Sequence, residues 1–210
     1  MREERGRKPV RLGVLASGRG SNLQAIIDAI EAGRLLAQVV VVISDKPRAQ
    51  ALERAKRHGI PAVSLPVDHF SNRADHEAAL VRSLQGHNVE LVLLAGYMRL
   101  LGRGFLHIFQ QRVMNIHPSL LPAFPGLEAQ RQALEYGAKV AGCTVHFVDE
   151  GMDQGPIILQ AAVPVLDSDT VGSLSERILA EEHRIYPEAI RLWTEGRLRL
   201  EGRRVRSLPD

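Results

Sequence analysis

Residues 11–33 read RLGVLASGRGSNLQAIIDAIEAG, and two periodicities meet inside them. Residues 11–16 form a short apolar run that reads as a buried strand, and it ends in the Gly-rich turn SGRGSN at residues 17–22. Beyond the turn, Leu23, Ile26, Ile27 and Ile30 fall at i, i+3, i+4 and i+7, the apolar stripe of a helix. Ser21 followed three residues later by Gln24 predicts a capping box at its start. A strand that passes through glycines into a helix is the repeating unit of an α/β sheet.

The same rhythm continues outward. Residues 38–43 are apolar after Gln38, as in a parallel strand covered on both faces. Residues 49–58 read as a helix stopped by Gly59, 62–65 as a third strand, 72–85 as a helix and 91–95 as a fourth strand. The pattern predicts a doubly wound, mostly parallel α/β sheet. Residues 113–116 are a further short apolar run, leading into HPSLLPAFPG, whose prolines and glycine forbid regular structure. Residues 127–136 return to helix. Residues 143–148 and 157–163 read as two antiparallel or mixed strands around the loop DEGMDQGP, which makes the C-terminal part of the sheet mixed. Residues 171–195 form a long helical pattern that Pro187 is expected to kink or break.

Composition bounds the rest. The 210 residues are 45% hydrophobic and 24% charged, an ordinary globular mixture with enough chain for one sizeable core. No apolar run approaches the roughly 18 residues of a spanning helix, and MREERGRKPV has no apolar segment behind it, so a cytoplasmic location is expected. The single Cys143 permits no internal disulfide. The net charge of +3 is uneven, with +3 up to Arg11, +3 from Arg197 onward and −3 between. With only 4% aromatic residues, this pattern reads as solvated basic ends and argues against nucleic acid as a partner. The expected division is a basic extension at 1–10, one domain at 11–200 and a tail at 201–210.

Three stretches carry candidate chemistry. SGRGSN lies between strand and helix, where glycines admit an anion and free N–H groups favour a phosphate; a side chain at Gly20 is expected to fill the anion's place or forbid the backbone. The bland alternative is a tight turn. Asn115 and His117 share one side of a strand end, which brings an amide and a titratable imidazole to one volume. A buried, satisfied histidine is the competing reading. The acidic, Gly-rich loop from Asp149 to Gly155 can deliver a carboxylate that orients an imidazole, or it is a plain hairpin loop. The scattered histidines include no HxH or HExxH pair, so no metal site is expected, and there is no GxSxG elbow.

LASGRGSNLQAI, LAGYMRLL, NIHPSLLPAFPG, GCTVHFVDEGMDQGPIILQ and AEEHRIYP, taken in order, resemble the phosphoribosylglycinamide formyltransferase family from about residue 11 to about residue 200. NIHPSLLP with a loop aspartate is common to folate formyltransferase domains, and SGxGSNL is the discriminating piece. The resemblance implies a Rossmann-like formyltransferase fold and a transferase of one-carbon metabolism in purine biosynthesis. Such an enzyme moves the formyl group of 10-formyltetrahydrofolate to the glycine amine of glycinamide ribonucleotide. It implies Asn115, His117 and Asp153 as the catalytic set. Gly20, Ser21 and Asn22 would hold the ribonucleotide phosphate, with Glu182 at its sugar or amine end. The folate would meet Arg73, Met98, Arg99, Leu100, Leu101, Asn115 and the run Val148, Asp149, Glu150, Gly151, Met152 and Asp153. No cofactor is implied, the folate being a co-substrate, and the partners are the two small molecules, with a monomer or homodimer expected. Arg19, Glu128 and Gln130 depart from the family's usual residues. The rival readings are a nucleotide-binding module without catalysis, formyl transfer to another amine, and deformylation by water.

Overall fold

The computed structural model describes residues 8–209, so most of the expected N-terminal extension lies outside the described residues. A seven-stranded sheet runs in the order β3-β2-β1-β4-β5-β6-β7. Its strands are β1 (Val10–Leu15), β2 (Ala37–Ser44), β3 (Ala62–Ser64), β4 (Leu91–Leu94), β5 (Val113–His117), β6 (Val140–Phe147) and β7 (Ile157–Pro164). The first five are parallel, while β6 and β7 pair antiparallel. The mixed C-terminal part therefore falls where the alternating pattern placed it.

The helices are α1 (Ser21–Glu31), α2 (Gln50–Arg57), α3 (Arg73–Gly86), α4 (Arg103–Ile108), α5 (Ala129–Tyr136) and α6 (Val171–Thr194). Leu23 and Ile26 of α1, Ala51 and Leu52 of α2 and Ile178 and Ile190 of α6 join one buried cluster. Leu80 and Leu84 of α3 and Phe105 of α4 join the cluster on the other face. Both faces are covered, which is why β1, β2 and β4 are continuous apolar runs. Because β2 and β4 flank β1, the crossovers leave in opposite directions at β1 and β4, and a crevice opens at the carboxyl ends of these strands.

Three expectations are corrected. No capping box forms at α1: its N-cap is Gly20 in the left-handed region (φ 70°), with no side-chain cap. The Gln24 amide instead bonds Asp28 Oδ1 at 2.8 Å. Pro187 does not break α6, which runs unbroken from Val171 to Thr194 because Ile185, Tyr186, Ala189 and Ile190 around it are buried in the core. Its capping box is at Thr170 and Ser173. The basic residues from Arg199 onward are exposed as expected but do not form a separate tail: β8 (Leu198–Glu201) and β9 (Arg204–Ser207) form a hairpin that straddles the boundary expected at residue 200. Glu201 pairs with Arg206 at 2.7 Å and Arg199 at 3.5 Å, and the Arg203 guanidinium bonds the Gln154 carbonyl. Short α4 and this hairpin carry too little apolar periodicity to stand out in the sequence. Among the described residues no helix is long and apolar enough to cross a membrane.

Candidate active site

Asn115 and His117 occupy alternate positions of β5, so both side chains leave the sheet on one side at its carboxyl end. His117 is buried, and its Nε2 meets the Phe124 carbonyl at 3.0 Å. That carbonyl can only accept, so Nε2 carries a hydrogen and Nδ1 is the position where protons are gained or lost. Nδ1 faces Asp153 Oδ2 at 3.4 Å. The same carboxylate oxygen accepts from the Gly126 amide at 2.8 Å, which ties the proline-rich loop to the acidic loop. Asp153 is held at φ 52°, a left-handed conformation that an L-residue adopts at a cost, and here it aims the carboxylate at the imidazole. Gly155 closes the loop: a Cβ there would run into the Phe147 carbonyl.

His146 completes this constellation, and no local pattern singled it out. It lies opposite Asn115 in the β5/β6 ladder. Its Nδ1 donates to the Phe147 carbonyl at 2.9 Å, so Nε2 is free to accept from Asn115 Nδ2 at 3.1 Å. Burial pushes its pKa below the ordinary 6.5, which keeps it neutral and suited to that acceptor role. The Asn115 amide is thereby oriented, with its second N–H left for a ligand. Behind the site, Thr144 Oγ1 donates to the Ser119 carbonyl at 2.6 Å and accepts from Gln160 Nε2 at 2.9 Å, which anchors the loop after His117.

At the other side of the crevice, Gln24 N is bonded to the Gly20 carbonyl, so the amides that precede it at the start of α1 have no intrahelical partner. They form a concavity of unpaired N–H groups backed by the positive end of the helix, an arrangement that favours an anion. Gly20 has the expected backbone reason, its left-handed φ of 70°, and a packing reason besides. A Cβ there would lie 2.8 Å from Cα and Cβ of Ala51, so it would strike α2. Asn22 Nδ2 donates to Glu182 Oε2 at 2.7 Å, while Asn22 Oδ1 is buried without a partner. Glu182 is buried too, and desolvation raises its pKa above the ordinary 4.5 against the opposing bond from Asn22.

One cleft of about 810 Å³ gathers these groups. Its lining includes Gly20, Ser21, Asn22, Met98, Arg99, Leu100, Leu101, Asn115, His117, Glu182 and every residue from Val148 to Asp153, along with Arg19, Glu128, Gln130 and His146. Arg73 alone of the expected residues is not part of it. Its guanidinium bonds the Leu100 carbonyl at 3.0 Å and Glu77 at 2.6 Å from behind the loop. Met98, Leu100, Leu127 and Met152 are large exposed apolar side chains along the cleft, an apolar wall suited to a flat ligand. The arrangement combines a helix start with free amides, a buried acid, an apolar slot and an imidazole–carboxylate pair at their meeting point.

The sequence and the fold are similar to those of known proteins. The trifunctional purine biosynthetic protein adenosine-3 of Drosophila melanogaster is 50% identical over 188 residues, 89% of this chain, which spans only 14% of that longer protein. The phosphoribosylglycinamide formyltransferase of Bacillus subtilis is 46% identical, with 85% of this chain and 91% of that protein aligned. The crystal structure of glycinamide ribonucleotide transformylase 1 from Symbiobacterium toebii superposes with a TM-score of 0.94 at 62% identity, covering 96% of this chain and 95% of that one. The formyl transferase family model matches residues 10–190, which contain every cleft residue named above, and the chain belongs to that family.

Proposed function

We propose that the protein transfers the formyl group of 10-formyltetrahydrofolate to the glycine amine of 5-phosphoribosyl-glycinamide, a formyltransferase step of purine biosynthesis. The observation that carries this reading is the single cleft that joins the Asn115–His117–Asp153 cluster to the uncapped start of α1 and to the apolar slot. The ribonucleotide phosphate sits on Gly20, Ser21 and Asn22, and Glu182 receives its sugar or amine end. The folate lies against Met98, Arg99, Leu100, Leu101 and the Val148–Asp153 segment, and Arg73 supports that wall through the Leu100 carbonyl.

The amine attacks the formyl carbon, and the carbonyl electrons move to oxygen. Asn115 donates its free N–H to that oxyanion, held in the right orientation by neutral His146. The attacking nitrogen loses a proton and the departing folate nitrogen gains one. His117 Nδ1 carries the proton between them, with Asp153 fixing the ring and balancing its charge. The collapse breaks the bond from carbon to the folate nitrogen and releases tetrahydrofolate and the formylated ribonucleotide. The proton count closes without a cofactor. The proposal covers one catalytic domain that includes the β8/β9 hairpin, acting in the cytoplasm as a monomer or homodimer.

Incubation with 10-formyltetrahydrofolate, with and without the ribonucleotide, tests it. Formyl-folate should be consumed only when both are present, and Asp153→Asn should lower kcat by at least about a hundredfold with an unchanged circular dichroism spectrum. Consumption of formyl-folate in the absence of the ribonucleotide would instead identify a deformylase.

A further inference from the structure

Asp45 follows β2 directly, where open nucleotide-binding sheets often carry an acid for a ribose hydroxyl. Here the carboxylate is committed elsewhere. Its side chain is 2% exposed, and both oxygens are taken: Ser17 Oγ donates to Oδ1 at 2.6 Å and Arg99 Nε to Oδ2 at 2.7 Å. Ser17 Oγ accepts in turn from the Met98 amide at 3.1 Å, and the Ser17 amide donates to the Gly96 carbonyl at 3.0 Å. Ser17 begins the loop that leads to the start of α1, and Met98 and Arg99 line the other side of the cleft. The carboxylate thus joins two loops that are 81 residues apart at Ser17 and Met98.

We propose that Asp45 is a positioning residue that locks the loop after β1 to the loop after β4, so that the two substrate subsites are set relative to one another. The inference rests on the reading of these loops as the ribonucleotide and folate sides of the cleft. The physical ground is the burial of the charge. A buried carboxylate with one hydroxyl and one guanidinium donor holds both tightly, because releasing either leaves an uncompensated charge out of water. Arg99, with 40% of its side chain exposed, gains no comparable restraint from solvent.

Asp45→Asn keeps the shape, sets an amide N–H against one of the two donors and removes the charge facing Arg99. The KM values for both substrates should rise together, each by about tenfold or more, the factor expected for a lost charged hydrogen bond, with kcat within about threefold. Hydrogen exchange at the Met98 amide and the Arg99 Nε–H should accelerate by at least about tenfold. A rise in only one KM, or lower thermal stability with both KM values kept, overturns the proposal. Exchange rates unchanged from the native protein also overturn it, and that comparison decides the matter even if the native chain proves inert toward formyl-folate. Should Asp45→Asn fail to fold, Ser17→Ala cuts the Asp45 and Met98 bonds from the other side and is read by the same two measurements.

Discussion

Glu182 is a buried carboxyl group that receives, among the described residues, a hydrogen bond from Asn22. Its raised pKa means that the ionised form is the penalised one. Its contribution to stability is present below the ordinary 4.5 and is lost as pH rises through the higher folded value. Ionising this group therefore costs the chain stability, and under the proposed function a bound ribonucleotide offsets that cost. Glu182→Gln keeps the acceptor for Asn22 and removes the charge. Its melting temperature should exceed that of the native protein at pH 8, with the difference closing toward pH 4. The KM for the ribonucleotide should rise by at least about tenfold, since a hydrogen bond to a charged group is lost. A variant less stable at pH 8 with an unchanged KM would show that Glu182 serves the fold and not the ligand. The same desolvation acts on His146 in the opposite direction: burial lowers its pKa and keeps it an acceptor for Asn115.

Among the elements, the start of α1 is where packing and ligand chemistry meet. Gly20 allows both the left-handed turn and the contact with α2, where Ala51 N donates to the Gly18 carbonyl at 3.1 Å and Arg54 Nε to the Arg19 carbonyl at 2.8 Å. Gly20→Ala adds a methyl at φ 70° and drives it to 2.8 Å from the Ala51 backbone. The expected loss is about 2 kcal/mol, or roughly 4–8 °C in melting temperature for a chain of this size. Ala51→Gly should restore only part of it, because the clash with the Ala51 Cα remains. Full rescue in the double variant would mean that the backbone strain at Gly20 is negligible. On α6, the Tyr186 hydroxyl lies 3.1 Å from the Leu94 carbonyl and 3.0 Å from that of Met114, so one helix holds the ends of β4 and β5 together beneath the cleft.

For the whole molecule, the cleft exists because β1, β4 and β5 end side by side while β6 folds back against β5. Ligands that bridge these ends bind only the assembled sheet, so mass action couples binding to global unfolding. At a concentration of about 100 times its dissociation constant, the ribonucleotide should stabilise the protein by about 2.7 kcal/mol, which raises the melting temperature by roughly 5–11 °C. Inorganic phosphate should produce a smaller rise and should compete with the ribonucleotide in initial-rate assays but not with the folate. Competition by phosphate against the folate would move the anion seat away from the start of α1.

The strands of the parallel half and the helices around them other than α4 were legible in the sequence, because burial on both faces leaves continuous apolar runs and the longer helices keep a periodic stripe. The proline-rich loop, the acidic loop and the pairing of Asn115 with His117 on one side of a strand were legible for the same reason, since each depends on neighbours within a few residues. The hairpin at residues 198–207 was hidden by its alternating arginines and short strands. Pro187 misled because helix breaking is a local rule, and here the buried face of α6 outweighs it. His146 and Asp45 were invisible for a deeper reason. Their roles depend on which residue stands opposite Asn115 across two strands, and on which loops lie beside the end of β2. Strand order and register decide both, through contacts between residues far apart in the chain that no local pattern encodes.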